Sequence, residues 1–457
     1  MILTQNKIHF IGIGGIGVSA LARYFLAQKW AVSGSDLIRS SITEALGREG
    51  VKVKIGHKKG NIGRNPDLVV YNRAILPGNP ELVAARALGV RALPYAEVLG
   101  EITKSYVTIA VTGSHGKSTT TALAGLALMK GGFDPVVMVG TNLGEFGGKN
   151  IRVGHGRHLV LEADDFGGAF THYSPFVAIV TNIDREHLDF YKNFSNLKKA
   201  FLRFLKNTRA GGTFILNRDN KNLYSLRMQI MHIAKKNDIH VVWYSLRDPE
   251  AKKIKHAIKI PGIHNVSNAL AVYKLAKALG ISERMALSAI GAYRGAWRRM
   301  EYRGKFGGAG GAQGGAPVYD DYAHHPTEIK ATLQAFREKY PHKKIVCVFQ
   351  PHQAKRLKTL FGEFVTAFKD ADKTLLLPIY KVAGRDEKPG RFDSEALARA
   401  VQKREPKKLF FYLAKPRDLK NALRTLATPL SGHVIIMMGA GDIVNLTGTL
   451  VKKSSKK

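Results

Sequence analysis

Cysteine is almost missing from this 457-residue chain, and Cys347 stands alone. One thiol cannot close a disulfide within the chain, so a cystine framework is excluded and a reducing, cytoplasmic setting is expected. Acidic residues are scarce too: 35 Asp and Glu face 71 Lys and Arg, a formal net charge of +36. Long apolar runs are absent. The longest, such as VIIMM at 434–438, have the length of one strand, far short of a membrane span. The first residues pass straight into an apolar strand without a basic-then-apolar leader, which points away from secretion. No internal repeat of solenoid spacing is present.

Hydrophobic residues make up 45%, enough for several cores, and the length suggests three domains. The surplus of positive charge has two readings. One is nucleic-acid binding. The favoured one is a generally basic surface with anionic substrates, because Lys and Arg are scattered over the whole chain. The local runs KKIKHAIK (252–259) and KKSSKK (452–457) lack the interleaved aromatics on which bases stack.

The chain is organised around residues 106–130, YVTIAVTGSHGKSTTTALAGLALMK. The β-branched run 107–111 reads as a buried strand, and the small apolar run 122–129 as a helix. Between them Gly113, Ser114, His115, Gly116, Lys117 and Ser118 form a phosphate cradle. Gly113 and Gly116 let backbone N–H groups face a phosphate, and the helix N-terminus adds partial positive charge. Lys117 can reach terminal phosphates, Ser118 can ligate Mg²⁺, and Thr119 adds a hydroxyl. The standard phosphate loop has glycine where Val111 stands, so this is a shortened form.

Upstream, a strand at 8–13 runs into Gly12-Ile-Gly14-Gly15-Ile-Gly17 and then a helix at 19–26. That is the G-x-G-x-x-G dinucleotide fingerprint, with Asp36 about twenty residues on, where a ribose contact is expected. Strands at 51–55 and 68–71 and the segment 80–88 continue an alternating α/β pattern, so residues 1–104 read as one Rossmann-like domain.

After the phosphate loop, the strand 159–161 ends in Glu162-Ala-Asp164-Asp165, a carboxylate placement suited to Mg²⁺. The strand 176–180 leads into TNIDREHLD, where His187 follows a strand end in an acidic loop and is a candidate metal or substrate group. Residues 261–268, PGIHNVSN, open a helix; Asn265 and Asn268 suit either recognition of a base or phosphate, or simple helix capping. The central domain is expected over 105–303. A glycine-rich stretch, 304–315, then opens the last domain, 304–457, and reads as a mobile loop. That domain carries VYDDYAHHPTEI, with Asp321, His324 and His325 in a turn, and the strand 344–349 ending in Gln350-Pro-His352. Polar groups collect at strand carboxyl ends throughout, where doubly wound sheets bind ligands.

The glycine fingerprint, TGSHGKSTTT, EAD, NIDREHLD, HNVSNA, RRME, DDYAHHPTEI and FQPH, in that order, closely resemble the bacterial Mur ligase family over nearly the full length. Within it, the first, DDYAHHPTEI and FQPH turns are most similar to members that join L-alanine to UDP-N-acetylmuramate. The resemblance implies three α/β domains. The first binds the UDP of UDP-N-acetylmuramate, the second ATP and Mg²⁺, and the third closes over both and helps place the amino acid. It implies catalytic roles for Lys117, Glu162, His187 and Arg299, with Mg²⁺ on Ser118 and Glu162 and a second near His187. Asn265, Asn268 and Asp321 would face ATP. Gly14, Gly15, Gly17, Asp36, His325, His352 and Arg356 would face the substrate. A cytoplasmic monomer or homodimer is expected, serving peptidoglycan precursor synthesis, with neither nucleic acid nor membrane as partner. The sequence departs from the family pattern twice: EADESD ends here at Gly167, and QPHRYTR reads QPHQAKR from Gln350 to Arg356.

The chemistry follows from the groups present. A carboxylate is a poor electrophile; a γ-phosphoryl group placed on it gives an acyl phosphate, which an amine attacks with loss of phosphate. A recycling ligase that adds a tripeptide to the same sugar nucleotide is the nearest rival. An NAD-dependent dehydrogenase would leave the phosphate loop idle, and a nucleic-acid ATPase would have no use for the first nucleotide fold.

Overall fold

The computed structural model describes residues 7–63, 66–307, 315–381 and 390–451. The basic tail at 452–457 and residues 308–314 of the glycine-rich stretch lie outside the described residues. Among the described residues, the apolar runs become strands of three sheets. The first contains β1 (Lys7–Ile11), β2 (Ala31–Asp36), β3 (Lys52–Ile55), β4 (Leu68–Tyr71) and β5 (Ala92–Pro94), all parallel in the order β3-β2-β1-β4-β5. The second contains β6 (Val107–Thr112), β7 (Val136–Leu143), β8 (Lys149–Arg152), β9 (His158–Glu162), β10 (Val177–Val180), β11 (Thr213–Asn217) and β12 (His240–Tyr244). Its order is β12-β11-β10-β6-β9-β7-β8, antiparallel only at β7–β8. α-Helices, or short 3-10 turns between β3 and β4 and between β9 and β10, form the crossovers that link consecutive parallel strands. The order reverses about β1 in the first sheet and about β6 in the second, so the glycine turn and the phosphate loop both open at switch points.

The third sheet contains β13 (Glu301–Phe306), β14 (Ala316–Asp321), β15 (Lys344–Phe349), β16 (Lys373–Leu376), β17 (Leu409–Tyr412) and β18 (His433–Met438), in the order β13-β14-β18-β15-β16-β17. β13 straddles the expected boundary at 303/304. Residues 301–306 pair antiparallel with β14, so the last sheet takes in its edge strand before the glycine-rich stretch, and the first residues of that stretch are strand and turn.

The chain forms two compact units, Met1–Lys259 with Val266–Tyr293, and Ile260–Asn265 with Arg294–Lys457. The first two domains thus share one unit. Their apolar side chains merge into a single core from Ile8 and Phe25 to Phe204 and Ile230. Each such side chain contributes roughly 1.5–3 kcal/mol when fully buried. A polar stitch crosses the same boundary: Arg23 Nη1 donates to Asn150 Oδ1 at 2.8 Å, and Asn150 Nδ2 to Ser19 Oγ at 3.0 Å. Among the described residues no helix is long and apolar enough to cross a membrane.

Inside the first domain, Glu81 is fully buried and collects donors from three segments. His9 Nε2 donates to Oε2 at 2.9 Å and Ser35 Oγ at 2.8 Å, while Asn61 Nδ2 donates to Oε1 at 2.8 Å. Burial pushes this carboxyl up, but the hydrogen bonds from His9, Asn61 and Ser35 outweigh it and bring it down to about 2. Its folded-state value lies below the unfolded value near about 4.3, so its stabilisation is full above that pH and fades as the pH falls towards 2. Glu81→Ala should destabilise the first unit by roughly 3–5 kcal/mol in urea unfolding. Glu81→Gln should flatten the loss of stability between about pH 4.3 and 2, and an unchanged slope would show that Glu81 does not set it.

Candidate active site

β6 is buried along its length and ends in the phosphate loop, whose helix, Lys117–Lys130, starts at Gly116. Gly116 has φ 82°, and a Cβ there would stand 2.5 Å from Asn268 Oδ1, so glycine is required on both counts. The front of the loop is held by the residues after β10. Asn182 Oδ1 accepts from His115 N at 2.8 Å, Asn182 O from Ser114 N at 3.2 Å, and Thr181 Oγ1 donates to His115 O at 2.6 Å. His115 Nε2 lies 3.1 Å from Asp184 Oδ2. The N–H groups of Lys117, Ser118 and Thr119 are left to face an anion, because a first helical turn has no internal acceptors for them.

Lys117 turns back under the loop. Its Nζ donates to Gly113 O at 2.7 Å, Ser114 O at 3.3 Å and Asp165 Oδ1 at 2.8 Å, with Asp164 Oδ1 at 4.0 Å. Burial pulls the Lys117 ammonium down, but the charges of Asp165 and Asp164 outweigh it and hold it above its ordinary value, fully protonated. Beside it Ser118 Oγ donates to Glu162 Oε1 at 3.0 Å, and Gly140 N to Glu162 Oε2 at 2.6 Å. Burial pushes the Glu162 carboxyl up against those two donors and Lys117.

A second acidic group forms next to this pair. Single ligand atoms of Asp164, Asp165 and His187 all lie within 4.8 Å of one another, a set that could hold a divalent cation. Asp165 is fully buried, and its Oδ2 has no hydrogen-bond partner among the described residues, as a metal-facing oxygen would. The turn 166–172 that follows is pinned from below, where Phe170 packs on Phe201 at 5.1 Å and Phe204 at 5.2 Å. Tyr191 OH donates to Asp165 O at 2.5 Å, and Phe166 packs edge-on against the His187 ring at 5.0 Å.

In the first domain Gly14 N donates to Asp36 Oδ2 at 2.8 Å, so Asp36 holds the glycine turn. Gly15 precedes the helix Ile16–Ala27, and Gly17 lies against the Tyr95 hydroxyl.

In the second unit Asp321 is a structural hub. It accepts from Met300 N at 2.8 Å, Ala323 N at 2.9 Å and Thr332 Oγ1 at 3.1 Å. Three protein donors thus hold a carboxylate that is 4% exposed and that the resemblance placed against ATP. His325, expected to face the substrate, is fully buried and caps the helix Pro326–Lys339, accepting from Thr327 N at Nδ1. Asn265 donates to Pro261 O at 2.7 Å and belongs with the second unit, whereas Asn268 lies by the phosphate loop. Arg299 Nη1 is 3.7 Å from Glu328 Oε1. Its neighbour Arg298 is buried and donates to Gly439 O. His352 stacks on Tyr380 with centroids 5.5 Å apart, and Arg356 Nη1 is 3.3 Å from His352 Nδ1. Sequence reasoning missed Asn182 and the Asp165–Lys117 pair, although both stand in quoted motifs; Tyr380 carried no signal.

The comparisons agree with this architecture. The Mur ligase family, catalytic domain, matches residues 7–107; the Mur ligase middle domain, 111–276; and the Mur ligase, glutamate ligase domain, 298–441. The UDP-N-acetylmuramate–L-alanine ligase of Sulfurihydrogenibium sp. is 36% identical over 99% of this chain and 98% of its own. The enzyme of that name from Acetivibrio thermocellus is 38% identical over 99% and 97%. Among solved structures, a UDP-N-acetylmuramate–alanine ligase from Thermotoga maritima superposes with TM-score 0.77 at 26% identity, covering 97% of this chain and 98% of its own. A murein peptide ligase from Psychrobacter arcticus shares the fold, with TM-score 0.67 at 22% identity over 97% and 99%.

The Lys117–Asp165 pair yields a charge test. Lys117→Met should cut nucleotide turnover by on the order of 10² to 10³. It should also lower stability by roughly 1–3 kcal/mol, because Asp165 is left buried without its cation. Adding Asp165→Asn should restore the melting temperature but not the turnover. Activity within a few-fold of the parent, in a folded Lys117 variant, would remove Lys117 from the chemistry.

Proposed function

The chain belongs to the Mur ligase family, and from that premise we infer that it joins L-alanine to the carboxylate of UDP-N-acetylmuramate at the expense of ATP, in peptidoglycan precursor synthesis. What supports the reading is that relatives bearing that name match end to end, while this chain carries a glycine turn that opens a helix at each of two strand ends in one compact unit. A dehydrogenase would need only the first of them.

The residues divide the work as follows. The helix starting at Gly15 receives the diphosphate of the sugar nucleotide, with Asp36 holding the glycine turn around it. The phosphate loop receives ATP. Lys117 exchanges Asp165 for the terminal phosphate oxygens and neutralises charge that builds as the phosphoryl group moves. Ser118 and Glu162 would hold one Mg²⁺, and Asp164, Asp165 and His187 a second. Bound there, the ions would supply further neutralisation of the phosphate oxygens. Asn268, against Gly116, orients the loop and the nucleotide. In the second unit His352, stacked on Tyr380, and Arg356, beside His352, are the groups that take the new alanyl group. Arg299 contributes a cation there.

Phosphate release from ATP, measured with UDP-N-acetylmuramate and each amino acid in turn, tests the reading. L-alanine should give the highest rate, and a preference for a tripeptide would make the chain a recycling ligase. Asp36→Ala should weaken sugar-nucleotide binding by about 10-fold and leave ATP affinity unchanged. A parallel loss for ATP in calorimetry would mean that the two nucleotide sites are assigned to the wrong domains.

A further inference from the structure

We propose that Arg73 is a substrate-binding residue that takes the acceptor's carboxylate and presents it to the phosphoryl-transfer site, an inference that rests on the ligase reading. Arg73 lies in the turn after β4. That turn is built rigidly: Asn72 N donates to Ile11 O at 3.2 Å, and Asn72 accepts from Ala74 N at 3.0 Å and from Ile75 N at 2.9 Å. Asn72 also packs against the glycine turn, its Nδ2 3.1 Å from where a Cβ on Gly15 would be. The base of Arg73 is therefore fixed beside the site for the sugar nucleotide.

Its guanidinium points the other way, into the second domain. Nη1 donates to Gly167 O, and Cζ sits 4.2 Å above the centroid of Phe190. Gly167 is two residues after Asp165, and Phe190 three after His187, so the guanidinium lies between the two loops that carry the acidic cluster. Gly167 has φ 67°, and a Cβ on it would run into Arg73 Nη1 and come within 2.8 Å of Arg73 Cδ. The absence of a side chain at 167 is what opens the space that the arginine fills.

Arginine is a planar fork of five N–H donors. Gly167 O takes one, and among the described residues no protein acceptor takes another and no carboxylate pairs with Arg73. A stacked, uncompensated guanidinium is pre-organised for a planar anion held in two-point contact. Two anionic groups of the sugar nucleotide could meet it. The diphosphate belongs on the helix that starts at Gly15, at the base of the turn. The carboxylate must travel to the γ-phosphate, and the fork stands beside the loops that surround it. The carboxylate is therefore the group assigned.

The test is calorimetry on the full chain with UDP-N-acetylmuramate, with UDP-N-acetylglucosamine, which has the diphosphate but no carboxylate, and with a non-hydrolysable ATP analogue. Arg73→Ala should weaken the acid-bearing nucleotide about 10- to 100-fold and leave the other two within about 2-fold, and Arg73→Lys should recover part of the loss. Gly167→Ala, which displaces the guanidinium without removing its charge, should reproduce the selective loss. Equal losses for both sugar nucleotides would mean a diphosphate contact or a loosened turn and would overturn the proposal. So would no change, or a change confined to the KM for alanine. Failure of the ligase reading would show separately, in parent protein that does not bind UDP-N-acetylmuramate, and would take this proposal with it.

Discussion

An ammonium group kept out of water must have a counter-charge, and the site is arranged around that requirement. Lys117 needs an anion when no phosphate is present, and Asp165 is that anion. Holding Asp165 in place requires the turn 166–172 to keep its shape, which is why Phe170 is sunk between Phe201 and Phe204 and Tyr191 grips the Asp165 carbonyl. The same turn brings Asp164 and Asp165 to His187. One electrostatic demand thereby fixes three loops that are remote from one another in the chain.

In a chain so short of acids, buried and half-buried ones act as organisers. Glu81 joins β1, β2 and the segment after β3 at the heart of the first domain. Asp36 closes the glycine turn, Glu162 clasps Ser118 and the backbone of Gly140, and Asp321 gathers the chain entering the last sheet. All but Glu81 stand at strand carboxyl ends, and every one accepts a backbone N–H group, Glu81 from Lys58, where a lysine or arginine could not serve. The surplus of positive charge thus says less about function than the few carboxylates do.

β2, β5, β7, β8, β12 and β17 went unread, whereas β1, β3, β4, β6, β9, β10 and β15 were legible in the sequence, most of them as continuous apolar runs, and the phosphate loop fixes the order of strand, turn and helix around it. β13 was not legible either. EYRGKF is an edge strand with one neighbour and a polar face, so it carries no apolar run, and the boundary expected from the glycines after it falls inside it. The common core of the first two domains was hidden for a different reason: periodicity shows that a helix has an apolar face, not what covers it. At the site, Glu162 and His187 stood out as polar residues at strand ends. The pairing of Lys117 with Asp165, and the reach of Arg73 to Gly167, are tertiary contacts between segments 48 and 94 residues apart that no spacing rule encodes.

The shared core has a consequence for selectivity. Because Arg23, Asn150 and the merged apolar side chains fasten the glycine turn and the phosphate loop into one body, the distance between them works as a gauge. On the ligase reading, an acceptor would be measured from its nucleotide end to its acid end against that gauge, and a molecule with the right groups but a longer or shorter span between them would be rejected by length, however well either end is recognised.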